Sequence, residues 1–254
     1  MKEKIFPAVR YQDGHAAIDW LVRAFGFEKD AVFDGPEGTI AHAQLRFGTG
    51  VFGLSSAQLG RSPDNPWSTA RQGIYVSVKE VDALHDRAKA AGADIALPLT
   101  NQDYGSRDFS VRDPEGHLWA FGTYDMAAPE AEPNIFVGLY YRDGGAALAF
   151  LERAFGFRKT FEVAGANGTI EHAEMRFGDG AVMLDSGPRD ERVWNKNLQC
   201  VHVYLADPDA HHARAHAAGA TIVMPLHDTR WGSRGYYALD LEGFLWGFST
   251  YKPN

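Results

Sequence analysis

The residues best suited to chemistry in this chain come in matched pairs. His42 sits in GTIAHAQLRFGTG (38–50) and His172 in GTIEHAEMRFGDG (168–180), and nine of those thirteen positions are identical. A neutral imidazole in an otherwise apolar strand can act as a general base or as a donor that orients a ligand, which makes these two the candidate catalytic residues. The plainer alternative is a core histidine satisfied by a backbone carbonyl or by the nearby Gln44 or Glu174. Arg107 and Arg234 occupy one place in two G-S-R motifs. Their planar guanidinium forks would suit an anionic substrate. A motif present in both copies equally fits a shared structural need, a salt bridge to Asp113 and to Asp240. Tyr104 and Trp231, three residues before those arginines, are placed to cover a flat ligand. His212 and His216 lie four apart on a helix, a metal-compatible spacing, but without a third ligand nearby they read as a solvated face. Nothing in VHVYL supplies a positive charge to activate Cys200, so it reads as a buried small residue. No phosphate loop and no G-x-S-x-G elbow is present.

The pairing extends along the whole chain. AFGF (24–27) recurs at 154–157, AAGADIALPL (90–99) as AAGATIVMPL (217–226), and YGSRDFSVRDPEGHLWAFGTY (104–124) as WGSRGYYALDLEGFLWGFSTY (231–251). A repeat this long is two copies of a domain, here 1–124 and 135–254, joined by the Pro- and acid-rich linker 125–134. Each copy reads twice as strand, helix and three strands. IFPAVRY is β-prone, and Ile18, Leu21, Val22 and Phe25 then fall at helical spacing up to Gly26. KDAVFD, TIAHAQLRF and VFGLSS follow as strands between glycine turns. The second unit repeats the order from IYVSVK, through the helix VDALHDRAKAAGA, to strands around DIALPL, RDFSVRD and LWAFGTY. In copy two, Asp207-Pro208 reads as a helix N-cap with proline in the first turn.

Composition narrows the partners. A hydrophobic content of 45% suits a globular core, and the net charge of −8 argues against nucleic acid and anionic membranes, which need clustered Lys and Arg. The N-terminal stretch lacks an apolar signal region, no apolar run spans a membrane, and the single cysteine excludes an internal disulfide framework, so a cytoplasmic protein is expected.

Paired β-α-β-β-β units, the AFGF and AAGA helix ends and the DPEGH-LW turn together resemble the vicinal oxygen chelate superfamily, which includes glyoxalase I, extradiol dioxygenases and bleomycin resistance proteins. The resemblance covers both copies. It implies an α+β fold of four βαβββ units in two tandem glyoxalase-like domains. Each would form a cup-shaped mixed sheet with helices outside, and the two would pack as an intrachain pseudo-dimer, with a further homodimer possible. Metal-dependent members place His, Gln or Glu at four strand positions inside each cup. In this chain those positions hold Phe6 and Phe136, His42 and His172, Gly73 and Cys200, and Ala120 and Gly247. Most cannot ligate, so no cofactor is expected. If strands exchange between copies, His42, Cys200 and His202 would meet in one cup and could hold a divalent metal such as Zn, Ni, Mn or Fe.

Strand alternation supplies the rest of the cup faces. Copy one offers Phe6, His42, Gln44 and Tyr75; copy two offers Phe136, His172, Glu174, Cys200, His202 and Tyr204. That mixture of aromatic and polar groups suits a small, partly aromatic organic molecule as the ligand. The expected function is binding without a catalytic metal, and the expected active cup is the more polar one around His202. The alternative is a metal-dependent lyase, isomerase or dioxygenase using His42, Cys200 and His202.

Overall fold

The computed structural model describes residues 4–57, 72–103, 105–112, 118–124, 134–188, 199–230, 232–239 and 243–251. Tyr104, Trp231, Asp113, Asp240, the DPEGH turn and all of the linker except Asn134 lie outside the described residues.

The first copy folds as β1 (Lys4–Tyr11), α1 (Gly14–Phe25), β2 (Glu28–Asp34), β3 (Ile40–Phe47) and β4 (Gly50–Ser56). Its second unit is β5 (Gln72–Ser77), α2 (Val81–Ala90), β6 (Asp94–Asn101), β7 (Arg107–Arg112) and β8 (Leu118–Gly122). The second copy gives β9 (Ile135–Tyr141), α3 (Gly144–Phe150), β10 (Arg158–Ala164), β11 (Ile170–Phe177) and β12 (Gly180–Ser186). It then gives β13 (Gln199–Tyr204), α4 (Pro208–Ala217), β14 (Thr221–Asp228), β15 (Arg234–Leu239) and β16 (Leu245–Ser249).

Local signals set the helix ends. Asp13 accepts a hydrogen bond from Ala16 N at 2.9 Å, and Asp143 and Asp207 do the same for Ala146 and Ala210. Gly26 ends α1 in the left-handed region at φ 77°. The two copies differ here, because α3 continues into a π-turn over Leu151–Phe155.

The strands form two eight-stranded mixed sheets, β2-β3-β4-β1-β5-β8-β7-β6 and β10-β11-β12-β9-β13-β16-β15-β14. In the first, β1 runs parallel to β4 and antiparallel to β5, so the two units of one copy join along a central seam. The same seam joins β9 and β13. Each sheet, and so each cup, therefore comes from a single copy, and no strand crosses to the other sheet.

The exchange between copies occurs in the core instead. On the helix-covered faces, Val9, Ile18, Leu21, Phe27 and Phe52 of copy one cluster with Val201, Val203, Trp246 and Phe248 of copy two. The second cluster inverts this, joining Ile74, Val76, Trp119 and Phe121 to Leu139, Leu151, Phe157 and Met175. Phe27 meets Trp246 edge-on at 5.4 Å between centroids, and Trp119 meets Phe157 at 5.6 Å. Both tryptophans are fully buried core residues, as alternation predicts. Arginines fasten the helix ends across the same boundary. Arg214 of α4 donates to the carbonyls of Arg23 and Val22 at 3.0 and 2.8 Å, and Arg87 of α2 to those of Arg153 and Glu152 at 2.9 and 2.7 Å.

Candidate functional site

Alternation sends Val201 and Val203 of β13 into the core and turns Cys200, His202 and Tyr204 to the concave face. On β11, Ala173 and Met175 go inward in the same way, which leaves His172 and Glu174 in the cup. The C-terminal cup contains a cavity of about 350 Å³, whose walls include Phe161, His172, Met183, Asp185, Cys200, His202, Tyr237 and Tyr251. Phe136, Ala181 and Met183 form a small apolar cluster packed against Tyr204 and Tyr251, and Met183 and Tyr251 also line the cavity.

The polar groups form one chain. Asp185 Oδ1 lies 3.4 Å from His172 Nδ1, and the Tyr251 hydroxyl 3.2 Å from His172 Nε2. The Tyr251 hydroxyl donates to Glu174, which is fully buried and lies 3.5 Å from the same imidazole nitrogen. His202 Nε2 stands 3.3 Å from the Tyr251 carbonyl and 3.2 Å from Ser249 Oγ.

Environment drives the two histidines apart. Burial works against a charge on His172, but hydrogen bonds and attraction from Asp185 and Glu174 outweigh it and hold the pKa at about 9. His202 has burial without a carboxylate and the positive His172 nearby, so its pKa falls to about 4. Burial, reinforced by Glu174, pushes the Tyr251 hydroxyl well above its ordinary value, and burial does the same to the Cys200 thiol. At neutral pH the cup thus holds a protonated His172 beside the acidic side chains of Asp185 and Glu174, a neutral His202 imidazole and an un-ionised phenol and thiol.

The N-terminal cup has the same frame, with Gln44 and Ser55 at the places of Glu174 and Asp185. Gln44 Nε2 lies 3.3 Å from His42 Nε2 and donates to the Tyr124 hydroxyl at 3.0 Å, and the Tyr75 hydroxyl donates to the Tyr124 carbonyl at 2.9 Å. Phe6 stacks on Tyr75 at 6.4 Å and Phe33 on His42 at 6.3 Å. Burial lowers the His42 pKa with nothing to oppose it.

The structure thus gathers Phe6, His42, Gln44 and Tyr75 in one cup and Phe136, His172, Glu174, His202 and Tyr204 in the other. Two expectations are corrected. His42 belongs to the first sheet and Cys200 and His202 to the second, so the strand exchange that would bring the trio into one cup does not occur. Arg107 and Arg234 do not serve the cups, because their forks clasp Asp82 and Asp209 in the first turns of α2 and α4 at 2.7 Å, with Asn101 and Asp228 as second partners. The ion pair is of the structural kind expected, and among the described residues its carboxylates are Asp82 and Asp209. His211 bonds the Tyr236 hydroxyl at 2.7 Å and His212 packs edge-on against the same ring, while His216 is exposed.

Sequence reasoning missed Tyr124, Tyr251, Asp185, Tyr237, Phe33 and Phe161. The two tyrosines follow the last strand of each copy, where alternation no longer predicts direction. Asp185 had a readable signal, since it is a charge on a strand where copy one has Ser55.

The four family ligand positions of this cup do not fit a metal. Phe136 offers no donor. His172 has both nitrogens committed, and the Cys200 thiol is held protonated. A Cβ built on Gly247 falls 2.3 Å from Tyr237 Cε1, so an aromatic ring fills the space a fourth ligand would need. Among the described residues, no group of three or more His, Cys, Asp or Glu has metal-binding geometry.

Two βαβββ units joined along one seam to make a cup, and the whole repeated in tandem, define a class of cup-forming proteins. The Glyoxalase/Bleomycin resistance protein/Dioxygenase superfamily model matches residues 6–121 and 135–248, and the chain belongs to that superfamily. A Mycobacterium bovis protein named "Putative glyoxylase CFP32" is 26% identical over 255 residues, covering 95% of this chain and 91% of its own length. An uncharacterized protein of the same organism is 31% identical over 129 residues, 46% of this chain and 80% of that protein. The fold is shared with the 2,3-dioxygenase LapB from Pseudomonas sp. KL28, at TM-score 0.66 and 11% identity over 100% of this chain and 93% of that one. It is also shared with the Mn(II)-bound glyoxalase from Novosphingobium aromaticivorans, at TM-score 0.63 and 16% identity over 98% of this chain and 81% of that one. No helix among the described residues is long and apolar enough to cross a membrane.

Proposed function

We propose that the C-terminal cup binds a small, partly aromatic organic molecule without a catalytic metal. The observation that carries this reading is the cavity of about 350 Å³, a size suited to one small ligand, set between the rings of Phe161, Tyr237 and Tyr251. Its polar groups are already bonded to one another, so they form a preorganised lining for a ligand to lie against. His202 holds the Tyr251 segment in place and fronts the cavity.

Elemental mass spectrometry of untagged protein, followed by a thermal-shift screen of small aromatic compounds, tests this. Sub-stoichiometric metal and at least one stabilising aromatic ligand are expected. His202→Ala should weaken that ligand about tenfold or more while the far-ultraviolet circular dichroism stays unchanged. A full equivalent of transition metal would overturn the metal-free reading, and unchanged affinity in His202→Ala would overturn the choice of cup.

A further inference from the structure

The charge around this cavity specifies the ligand further. Resting on the cup reading above, we propose that the C-terminal cup selects an aromatic organic cation, a flat apolar ring bearing a protonated amine, with Asp185 as its anchor.

Asp185 is the accessible member of the polar chain. Its side chain is 52% exposed, whereas Glu174 is fully buried and already receives the Tyr251 hydroxyl. Its contact with His172, at 3.4 Å, is long for a charged hydrogen bond, so the carboxylate keeps capacity for a second donor. Its position is central. Asp185 and Tyr237 line both the inner cavity and a neighbouring outer space of about 560 Å³ that reaches Tyr140 and Met224. A cation resting on Asp185 would share the cavity with the rings of Tyr237, Tyr251 and Phe161, and aromatic rings within reach of a cation add to its binding.

An anion meets the opposite conditions. Among the described residues lining the two spaces there is no Lys or Arg. His172 already faces two carboxylates. At the rim, Glu171 is paired with Arg230 and adds no net charge. A carboxylate or phosphate ligand would therefore be desolvated beside like charge, which costs affinity.

The repeat supplies an internal comparison. At the same strand positions the N-terminal cup carries Ser55 and Gln44 where this cup has Asp185 and Glu174, and it folds on the same frame. The fold therefore does not require the carboxylates, and both occur in the cup with the imidazolium and the described cavity.

Calorimetry with three probes of one shape tests the proposal: naphthylethylamine, naphthylethanol and naphthylacetate. The amine should bind at least about tenfold more tightly than the alcohol, and the acetate more weakly than either. Asp185→Asn and Asp185→Ser, the latter copying the N-terminal cup, should abolish the amine's advantage over the alcohol. Equal binding of amine and alcohol, preference for the acetate, or an amine preference that survives both substitutions would overturn the cation proposal while leaving a ligand-binding cup in place. Failure of all three probes to bind would overturn both.

Discussion

His172 and His202 share one cup and answer to opposite forces, which gives the protein two pH arms. The raised pKa of His172 contributes stability that is complete below the unfolded value near 6.5 and is lost as pH climbs through about 9. The depressed pKa of His202 contributes stability that is complete above 6.5 and is lost as pH falls toward about 4. Each arm is worth on the order of 3 kcal/mol, since every tenfold change in proton affinity on folding corresponds to about 1.4 kcal/mol. Melting temperature plotted against pH should show His202→Gln flattening the acid arm and Asp185→Asn flattening the alkaline one. An alkaline arm untouched by Asp185→Asn would contradict the assignment. A second prediction concerns Gly247. Gly247→Ala should cost on the order of 1–3 kcal/mol in urea unfolding, because its new methyl meets the Tyr237 ring. The pair Tyr237→Ser with Gly247→Ala, which copies Ser110 and Ala120, should recover most of that loss, and failure to recover it would show that the ring is not the obstacle. Much of this site was legible beforehand, because His172, Glu174, Cys200 and His202 lie on strands where period two decides the face. Tyr251 was not, because its direction depends on irregular chain beyond β16, and Asp185 was overlooked although Ser55 marks the difference.

At the scale of elements, the strand and helix order could be read from alternation, the Asp caps and the glycine stops. Strand exchange could not. The βαβββ units are so alike that either pairing satisfies the same hydrophobic pattern, and only the register of β1 on β5 and β9 on β13 decides it. The helix fasteners were also hidden in sequence. Arg87 and Arg214 look like ordinary surface charges, yet each reaches two carbonyls at the end of a helix in the other copy. Unpaired carbonyls at a helix C-terminus attract cations, so Arg87→Ala and Arg214→Ala should each cost about 1 kcal/mol. A left-handed glycine makes the approach possible: at Gly26, with φ 77°, a Cβ would lie 2.9 Å from Arg214 Nη1. Urea midpoints check both variants, and no change in either would mean that solvent replaces the arginine fully.

At the scale of the whole molecule, the two large hydrophobic clusters each need both copies. Glycines record how tightly they meet, since a Cβ on Gly50 would lie 2.4 Å from Ile135 and one on Gly180 the same distance from Ile5. Neither half should therefore behave as a free domain. Residues 1–124 expressed alone should self-associate through the faces that normally meet copy two, and sedimentation should show dimer or larger species. The intact chain should unfold in one cooperative transition. A stable, monomeric half would contradict this account of the core.

Because the backs are shared and the cups are private, the two halves face different constraints on change. An altered side chain at Phe27 or Ile5 presses on both halves at once, so drift there must be answered across the boundary. An altered side chain at Ser55 or Asp185 touches one ligand only. A tandem duplication with this division can hold its architecture fixed and specialise one cup at a time, and Ser55 and Gln44 in one cup against Asp185 and Glu174 in the other are such a divergence between copies.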